Sequence, residues 1–114
     1  IMNIQELATC VTENIPVKVF LMNNGHFGMV RQWQELFWDK RYSAVDMGEW
    51  PDFVKLAEAH GATGVRLTDK TTLVDDLRAA METPGPVVVD ARVTREENVY
   101  PMIAPGQAAR DMVG

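Results

Sequence analysis

Apolar residues recur along the chain with a helical period in some stretches and form short continuous runs in others. The helical period predicts helices near 2–13, 27–37, 52–60 and 71–82. The short runs, rich in β-branched residues, predict strands near 17–22, 63–67 and 86–93. Strands that alternate with helices are typical of a parallel sheet joined by right-handed crossovers. We therefore predict an α/β fold, a partial parallel sheet with flanking helices.

The first helix and the first strand each carry a distinct apolar pattern. One face of the helix comprises Ile1, Ile4, Leu7, Ala8 and Val11. The run at 17–22 follows Pro16 and is almost continuously apolar, as in strands that are covered on both faces. It is therefore predicted to be a central strand of the parallel sheet.

The later helices carry signals at their ends. Gly61 is placed to end the third helix, with His60 as part of its C-terminal cap. Thr72 and Asp75 have the spacing of a capping box at the start of the fourth helix. The residues that this helix is predicted to bury are Leu73, Leu77, Ala80 and Met81.

The chain contains no internal repeat and no linker that would separate two domains. Residues 1–95 are predicted to form the α/β core, and residues 96–114 an irregular tail over the surface. Within the tail, residues 100–103 are a candidate cover for a pocket. Because helical spacing is already running at Ile1, we expect the chain to be a fragment of a longer protein.

Composition narrows the classes of function. The chain has 114 residues, a formal net charge of −5 and a pI near 4.9, which is not the basic character of nucleic-acid-binding domains. No stretch approaches the roughly 20 apolar residues of a membrane span. The single cysteine, Cys10, excludes an internal disulfide and a cysteine metal cluster. We expect no nucleic-acid partner, no membrane span and a reducing, cytoplasmic location.

The segment Asn23-Asn24-Gly25-His26 carries the candidate chemistry. It follows a predicted parallel strand and precedes a helix, the position where ligands bind in open α/β sheets. Amide and backbone carbonyl oxygens are hard ligands suited to Mg²⁺, and a glycine allows the backbone to approach a diphosphate closely. The same residues also form a common turn, so a purely structural role is the alternative.

A wider set of residues resembles a known cofactor motif. It comprises Ile1-Met2-Asn3-Ile4-Gln5-Glu6-Leu7, Pro16-Val17-Lys18 and Leu21-Met22-Asn23-Asn24. These residues resemble the second part of the thiamine-diphosphate motif, which begins with Gly-Asp-Gly and ends in Asn-Asn. The resemblance implies that Asn24 offers a side-chain oxygen and His26 a backbone carbonyl to Mg²⁺. It also implies that an aspartate ligand belongs just before Ile1, outside this chain.

Three segments narrow the resemblance to one family. Residues 23–34, 50–59 and 99–103 are similar to acetolactate (acetohydroxyacid) synthase catalytic subunits, and the tail departs from them at 104–107. The resemblance implies that cofactor is bound by Asn24, Gly25, His26, Gly28, Met29 and Val30. It places Trp33 at the mouth of the substrate pocket, although its helical spacing alone favours a core position. No catalytic residue is assigned within the chain.

The family also implies an activity for the full-length parent. Pyruvate would lose CO₂, and the remaining two-carbon unit would join a second 2-keto acid, either pyruvate or 2-ketobutyrate. Thiamine diphosphate and Mg²⁺ are the implied cofactors, with FAD bound mainly outside this chain. The implied partners are further copies of the subunit and a regulatory small subunit. The alternatives are another thiamine-dependent decarboxylase or carboligase, and a non-catalytic flavodoxin-like binding module.

Overall fold

All seven predicted helices and strands are present in the computed structural model, which describes residues 2–114. In chain order they are α1 (Gln5–Thr12), β1 (Lys18–Asn23), α2 (Gly28–Phe37), α3 (Phe53–Ala59), β2 (Thr63–Leu67), α4 (Leu73–Glu82) and β3 (Val87–Arg92). A short 3-10 helix at Ala109–Asp111, which the sequence did not predict, follows them. Ile1, expected on the apolar face of α1, lies outside the described residues. No helix within residues 2–114 is long and apolar enough to cross a membrane.

The contacts divide the chain into two compact units. The sheet unit comprises the chain through Asn23 together with Glu49–Val93, and it contains the three strands with α1, α3 and α4. The α2 unit comprises Asn24–Gly48 and Thr94–Gly114. Each unit is therefore assembled from two segments that are distant in sequence.

The sheet has the order β1-β3-β2, and both pairs of strands are parallel, as predicted. Phe20 of β1 and Val65 of β2 both lie opposite Val89 in the register. The prediction that β1 is central is wrong for the described residues, because β3 lies between the other two strands and β1 forms an edge. The predicted covering of both faces of β1 is not observed either, because Val19, Phe20 and Met22 are exposed. The lateral order of the strands depends on how the crossovers run, and a continuous apolar run does not determine it.

Apolar residues pack on both faces of the sheet. One cluster comprises Leu7, Ala57, Ala62 and Val88, with Ile4 and Val11 packed against it. The other comprises Leu67, Ala80, Val87 and Val89, with Val65, Leu77 and Ala91 packed against it. Alternate residues of β3 thus enter opposite clusters, as the pleat of a strand requires. The predicted apolar face of α1 is confirmed at Ile4, Leu7 and Val11, whereas Ala8 is exposed.

The N-terminal cap of α4 and the extent of its buried face differ from the predictions. Thr72 makes no cap hydrogen bond, so the predicted capping box is wrong; its Oγ1 donates instead to Asp76 Oδ2 at 2.7 Å. Leu77 and Ala80 pack toward the sheet, whereas Leu73 and Met81 are exposed. Helical spacing predicts which side of a helix faces the sheet, but not how far the sheet extends along it.

Both ends of α3 are defined by side-chain and backbone geometry. Asp52 Oδ1 accepts from the backbone N–H groups of Val54 at 3.2 Å and Lys55 at 3.3 Å, which caps the helix. At the other end His60 is the C-cap residue, and Gly61 follows with a φ of +81°, so the predicted termination is confirmed.

The cap of α3 predicts a pH dependence of stability. The Lys55 N–H group, and secondly the guanidinium of Arg66, lower the pKa of Asp52 below its ordinary 3.8. A depressed carboxyl pKa stabilises the folded state above 3.8, and this stabilisation is lost as pH falls through the lower folded pKa. We expect Asp52→Asn, which keeps a cap acceptor but not the charge, to melt at a lower temperature than the unmodified chain at pH 7.

The difference between the two proteins should shrink as pH falls below 3.8, in thermal melting curves recorded from pH 7 downward. Asp52→Ala, which removes the cap acceptor as well, should stay below Asp52→Asn over the whole range. A gap between Asp52→Asn and the unmodified chain that stays constant with pH would show that the charge of Asp52 is not involved.

Candidate functional site

The loop after β1 is folded by the side chain of Asn24. Its Oδ1 accepts a hydrogen bond from the backbone N–H of His26 at 3.1 Å, and the His26 ring Nδ1 lies 3.2 Å from the Asn24 carbonyl oxygen. Between them Gly25 has a φ of +70°, a conformation that side chains with a Cβ rarely adopt. The predicted turn is therefore present, and it places the Asn24 side chain and the His26 backbone side by side.

Gly28, the first residue of α2, leaves room for the Asn24 side chain. A Cβ added at Gly28 would lie 2.9 Å from Asn24 Nδ2, closer than real Cβ atoms approach other atoms. Any larger residue would push the amide of Asn24 aside. The structure thus brings together Asn24, Gly25, His26 and Gly28, four of the residues that the sequence singled out.

A second segment, which lies between the predicted helices at 27–37 and 52–60, supports this loop. Phe27 N donates to Val45 O at 2.9 Å, and the N–H of Met47 donates to Gly25 O at 2.8 Å. The backbone of Asp46 forms an isolated antiparallel β-bridge with that of His26. The pKa of the Asp46 carboxyl is lowered, first by a hydrogen bond from the Gly48 N–H and then by the Arg95 guanidinium. The Asp-x-Gly spacing at 46–48 is a turn signal that sequence reading could have used.

The oxygen atoms that this loop presents are of the type that Mg²⁺ binds. Asn24 Oδ1 and the carbonyl of His26 are hard oxygen donors, and Mg²⁺ prefers such ligands in octahedral geometry. The residues that the structure describes contain no group of three His, Cys, Asp or Glu side chains that could hold a metal ion. The loop can therefore supply part of a magnesium site, with further ligands needed from elsewhere.

The apolar face of α2 is exposed. Met29, Val30 and Trp33 expose 53%, 52% and 39% of their surfaces, whereas the buried residues of the helix are Arg31 and Gln32. The usual arrangement of an amphipathic helix is inverted here. Within the described residues the Trp33 side chain is not part of a core, although its spacing alone favours one.

Arg31 links α2 to residues near the C-terminus. Its guanidinium donates to Glu35 Oε2 at 2.7 Å and to the carbonyl of Glu96 at 2.9 Å, and it also bonds Asn98 Oδ1. The hydrogen bond from Arg31 lowers the pKa of Glu35. Sequence reading missed this role because nothing in the local pattern distinguishes a buried arginine from a solvated one.

In the sheet unit a buried carboxylate joins the strands. Asp90 of β3 is fully buried; Oδ1 accepts from Asn23 Nδ2 at 2.7 Å, and Oδ2 accepts from Arg66 Nε at 3.1 Å and Arg92 Nε at 3.2 Å. The bond to Asp90 raises the pKa of Arg66. Sequence reading did not single out Asp90, although a charged residue within the run Val87-Val88-Val89 was the available signal.

A family comparison matches most of the chain. Residues 1–91 match the family described as thiamine pyrophosphate enzyme, C-terminal TPP binding domain. This match includes the loop after β1, α2 and the three strands of the sheet except for Arg92, the last residue of β3.

Two proteins that are similar in sequence over nearly the whole chain carry the same enzyme name. The acetolactate synthase large subunit of Parasynechococcus marenigrum is 51% identical over 100% of this chain, and that of Cyanidium caldarium is 44% identical over 99%. The chain spans only 19% and 20% of these two proteins. A Rhodococcus jostii thiamine diphosphate-dependent 4-hydroxybenzoylformate decarboxylase shares the fold, with a TM-score of 0.72, 24% identity, and coverage of 82% of this chain and 18% of its own.

Proposed function

Because the chain belongs to the thiamine pyrophosphate enzymes, through their C-terminal TPP-binding domain, we propose that it is part of an acetolactate synthase catalytic subunit. The observation that carries this proposal is the 51% identity to a large subunit of that name over the whole chain. The parent enzyme would release CO₂ from pyruvate and join the remaining two-carbon unit to pyruvate or 2-ketobutyrate.

Within this function the loop after β1 anchors the cofactor. Asn24, through Oδ1, and His26, through its carbonyl, would hold Mg²⁺, which would supply positive charge for the diphosphate of thiamine diphosphate. Gly25 and Gly28 let the backbone and the Asn24 side chain take the positions that this requires. The cofactor supplies the chemistry of breaking and forming carbon–carbon bonds, and the protein binds and orients it.

The exposed face of α2 forms the wall next to the cofactor. Met29 and Val30 contact the cofactor, and Trp33 lies at the mouth of the pocket beside the second 2-keto acid. The support is that all three side chains are apolar, lie on one side of α2 and are exposed in the described chain. An apolar wall with a few polar groups is the usual composition of a small-molecule pocket.

The remaining parts of the enzyme lie in the rest of the parent. They include the aspartate ligand of Gly-Asp-Gly, the glutamate that activates the cofactor and most of the FAD site. The chain is then a C-terminal fragment, with residues 1–95 as core and 96–114 as tail. The parent acts in the cytoplasm as a homo-oligomer with a regulatory small subunit.

An activity assay tests the proposal. With thiamine diphosphate, Mg²⁺ and FAD, the full-length parent should convert pyruvate to acetolactate, whereas the isolated 114 residues should form none because they contain only part of the site. Both proteins are assayed for acetolactate and for acetaldehyde. Acetaldehyde as the only product of the parent would assign it to a decarboxylase, and turnover by the isolated chain would contradict the proposed division of the site.

A further inference from the structure

Gln32 of α2 is among the most deeply buried residues of the chain, with 1% of its surface exposed. Both polar atoms of its side-chain amide form hydrogen bonds with the backbone of a single residue, Val99. Nε2 donates to Val99 O at 2.9 Å, and Oε1 accepts from Val99 N at 2.8 Å. Nε2 also lies 3.0 Å from Met102 Sδ. One side chain thus satisfies both backbone groups of a residue that is 67 positions away.

This pairing has a physical reason. Residues 96–101 contain neither helix nor strand, so their backbone N–H and C=O groups need partners other than a regular ladder. Gln32 provides them at Val99, and Arg31 provides one at Glu96. The polar side of α2 is buried because it carries these hydrogen bonds.

The same pairing fixes how α2 is rotated about its axis. Successive helical residues are about 100° apart around the axis, so holding Gln32 toward Val99 determines the direction in which the next residue, Trp33, projects. Met29 lies one turn earlier on the same side as Trp33. A looser Gln32 would allow the Met29–Trp33 face to turn relative to residues 96–102.

We propose that Gln32 is a positioning residue for substrate choice: by pairing with the Val99 backbone it fixes the angle at which Trp33 meets the second 2-keto acid. This inference rests on the proposed function for the wall of the pocket. Gln32 itself contacts neither cofactor nor substrate in this arrangement. It acts through α2 on selectivity and leaves the Asn24 loop unchanged.

The chain offers a matched control on the same helix. Gln34 pairs with the backbone of Ser43 in the same way, since Nε2 donates to Ser43 O at 3.1 Å and Oε1 accepts from Ser43 N at 3.0 Å. Gln34→Met and Gln32→Met therefore remove the same two kinds of hydrogen bond from α2. Only the second removes the hydrogen-bond partner of the Val99 backbone.

The experiment uses the full-length parent with its cofactors, supplied with pyruvate and 2-ketobutyrate in competition. Gln32→Met should change the ratio of the two products about tenfold, within the range that pocket contacts give, with the affinity for thiamine diphosphate unchanged. Gln32→Glu, which keeps the acceptor for the Val99 N–H, should give an intermediate ratio. Gln34→Met should leave the ratio unaltered.

Hydrogen exchange at the Val99 amide reports on the pairing independently of activity. Exchange should accelerate in Gln32→Met and not in Gln34→Met. Faster exchange with an unchanged product ratio overturns the inference, as does an equal change of the ratio in both variants. If Gln32→Met does not fold, Gln32→Glu decides by the same two readouts. A parent that makes no acetolactate refutes the proposed function instead, and this outcome is distinct from the others.

Discussion

Replacing Asp90 by alanine should lower the free energy of unfolding of the chain by about 3 kcal/mol, which is the lower end of the range for a broken buried ion pair. The carboxylate is fully buried and accepts hydrogen bonds from Asn23, Arg66 and Arg92. Its removal leaves all three donors without this acceptor. The value is at the low end because both arginines are partly exposed, so water reaches the charges that remain.

Urea unfolding followed by circular dichroism measures the effect, and Glu49→Ala is the matched control. Glu49 pairs with the same Arg92 at 3.0 Å, but its side chain is 87% exposed, so its removal should change stability little. Asp90→Asn, which keeps one oxygen acceptor, should fall between the unmodified chain and Asp90→Ala. Equal stability of Asp90→Ala and Glu49→Ala would show that the buried cluster does not hold the strands together.

Trp33→Leu in the full-length parent should shift the choice between pyruvate and 2-ketobutyrate by about 1 to 3 kcal/mol, the size of pocket contacts. Stability should change little, because Trp33 is 39% exposed in the described chain. A tryptophan that fills a core would behave in the opposite way: its truncation would cost about 3 to 5 kcal/mol of stability and would affect both keto acids equally.

Competition between the two keto acids and a melting curve measure these quantities separately. Trp38→Leu is the control, since Trp38 directly follows α2, is also about half exposed and has no assigned place in the pocket. It should leave the product ratio unchanged. If Trp33→Leu leaves the product ratio unchanged but greatly lowers the melting temperature, the Trp33 side chain fills a core and does not shape the pocket.

The candidate site was predictable where it depends on neighbours in sequence. The turn at Asn24 and Gly25 is made by a side chain that bonds a backbone group two residues on, and both residue types signal such a turn. The close approach of Gly28 to Asn24 is likewise local. The supporting contacts from Val45 and Met47 come from a segment without a period, and only the structure shows where that segment runs.

The sequence by itself determined the order of the seven main helices and strands, the parallel arrangement of the strands and the glycine that ends α3, because helical and strand periods and glycine caps act over a few residues. The tertiary structure alone decided that β3 is the central strand and that α2 buries Arg31 and Gln32 while exposing Trp33. It also decided that Asp90 is the buried acceptor of three strand-end donors. The contact of Asp90 with Arg66 joins residues 24 positions apart and that of Gln32 with Val99 joins residues 67 positions apart, and no local period carries information about them.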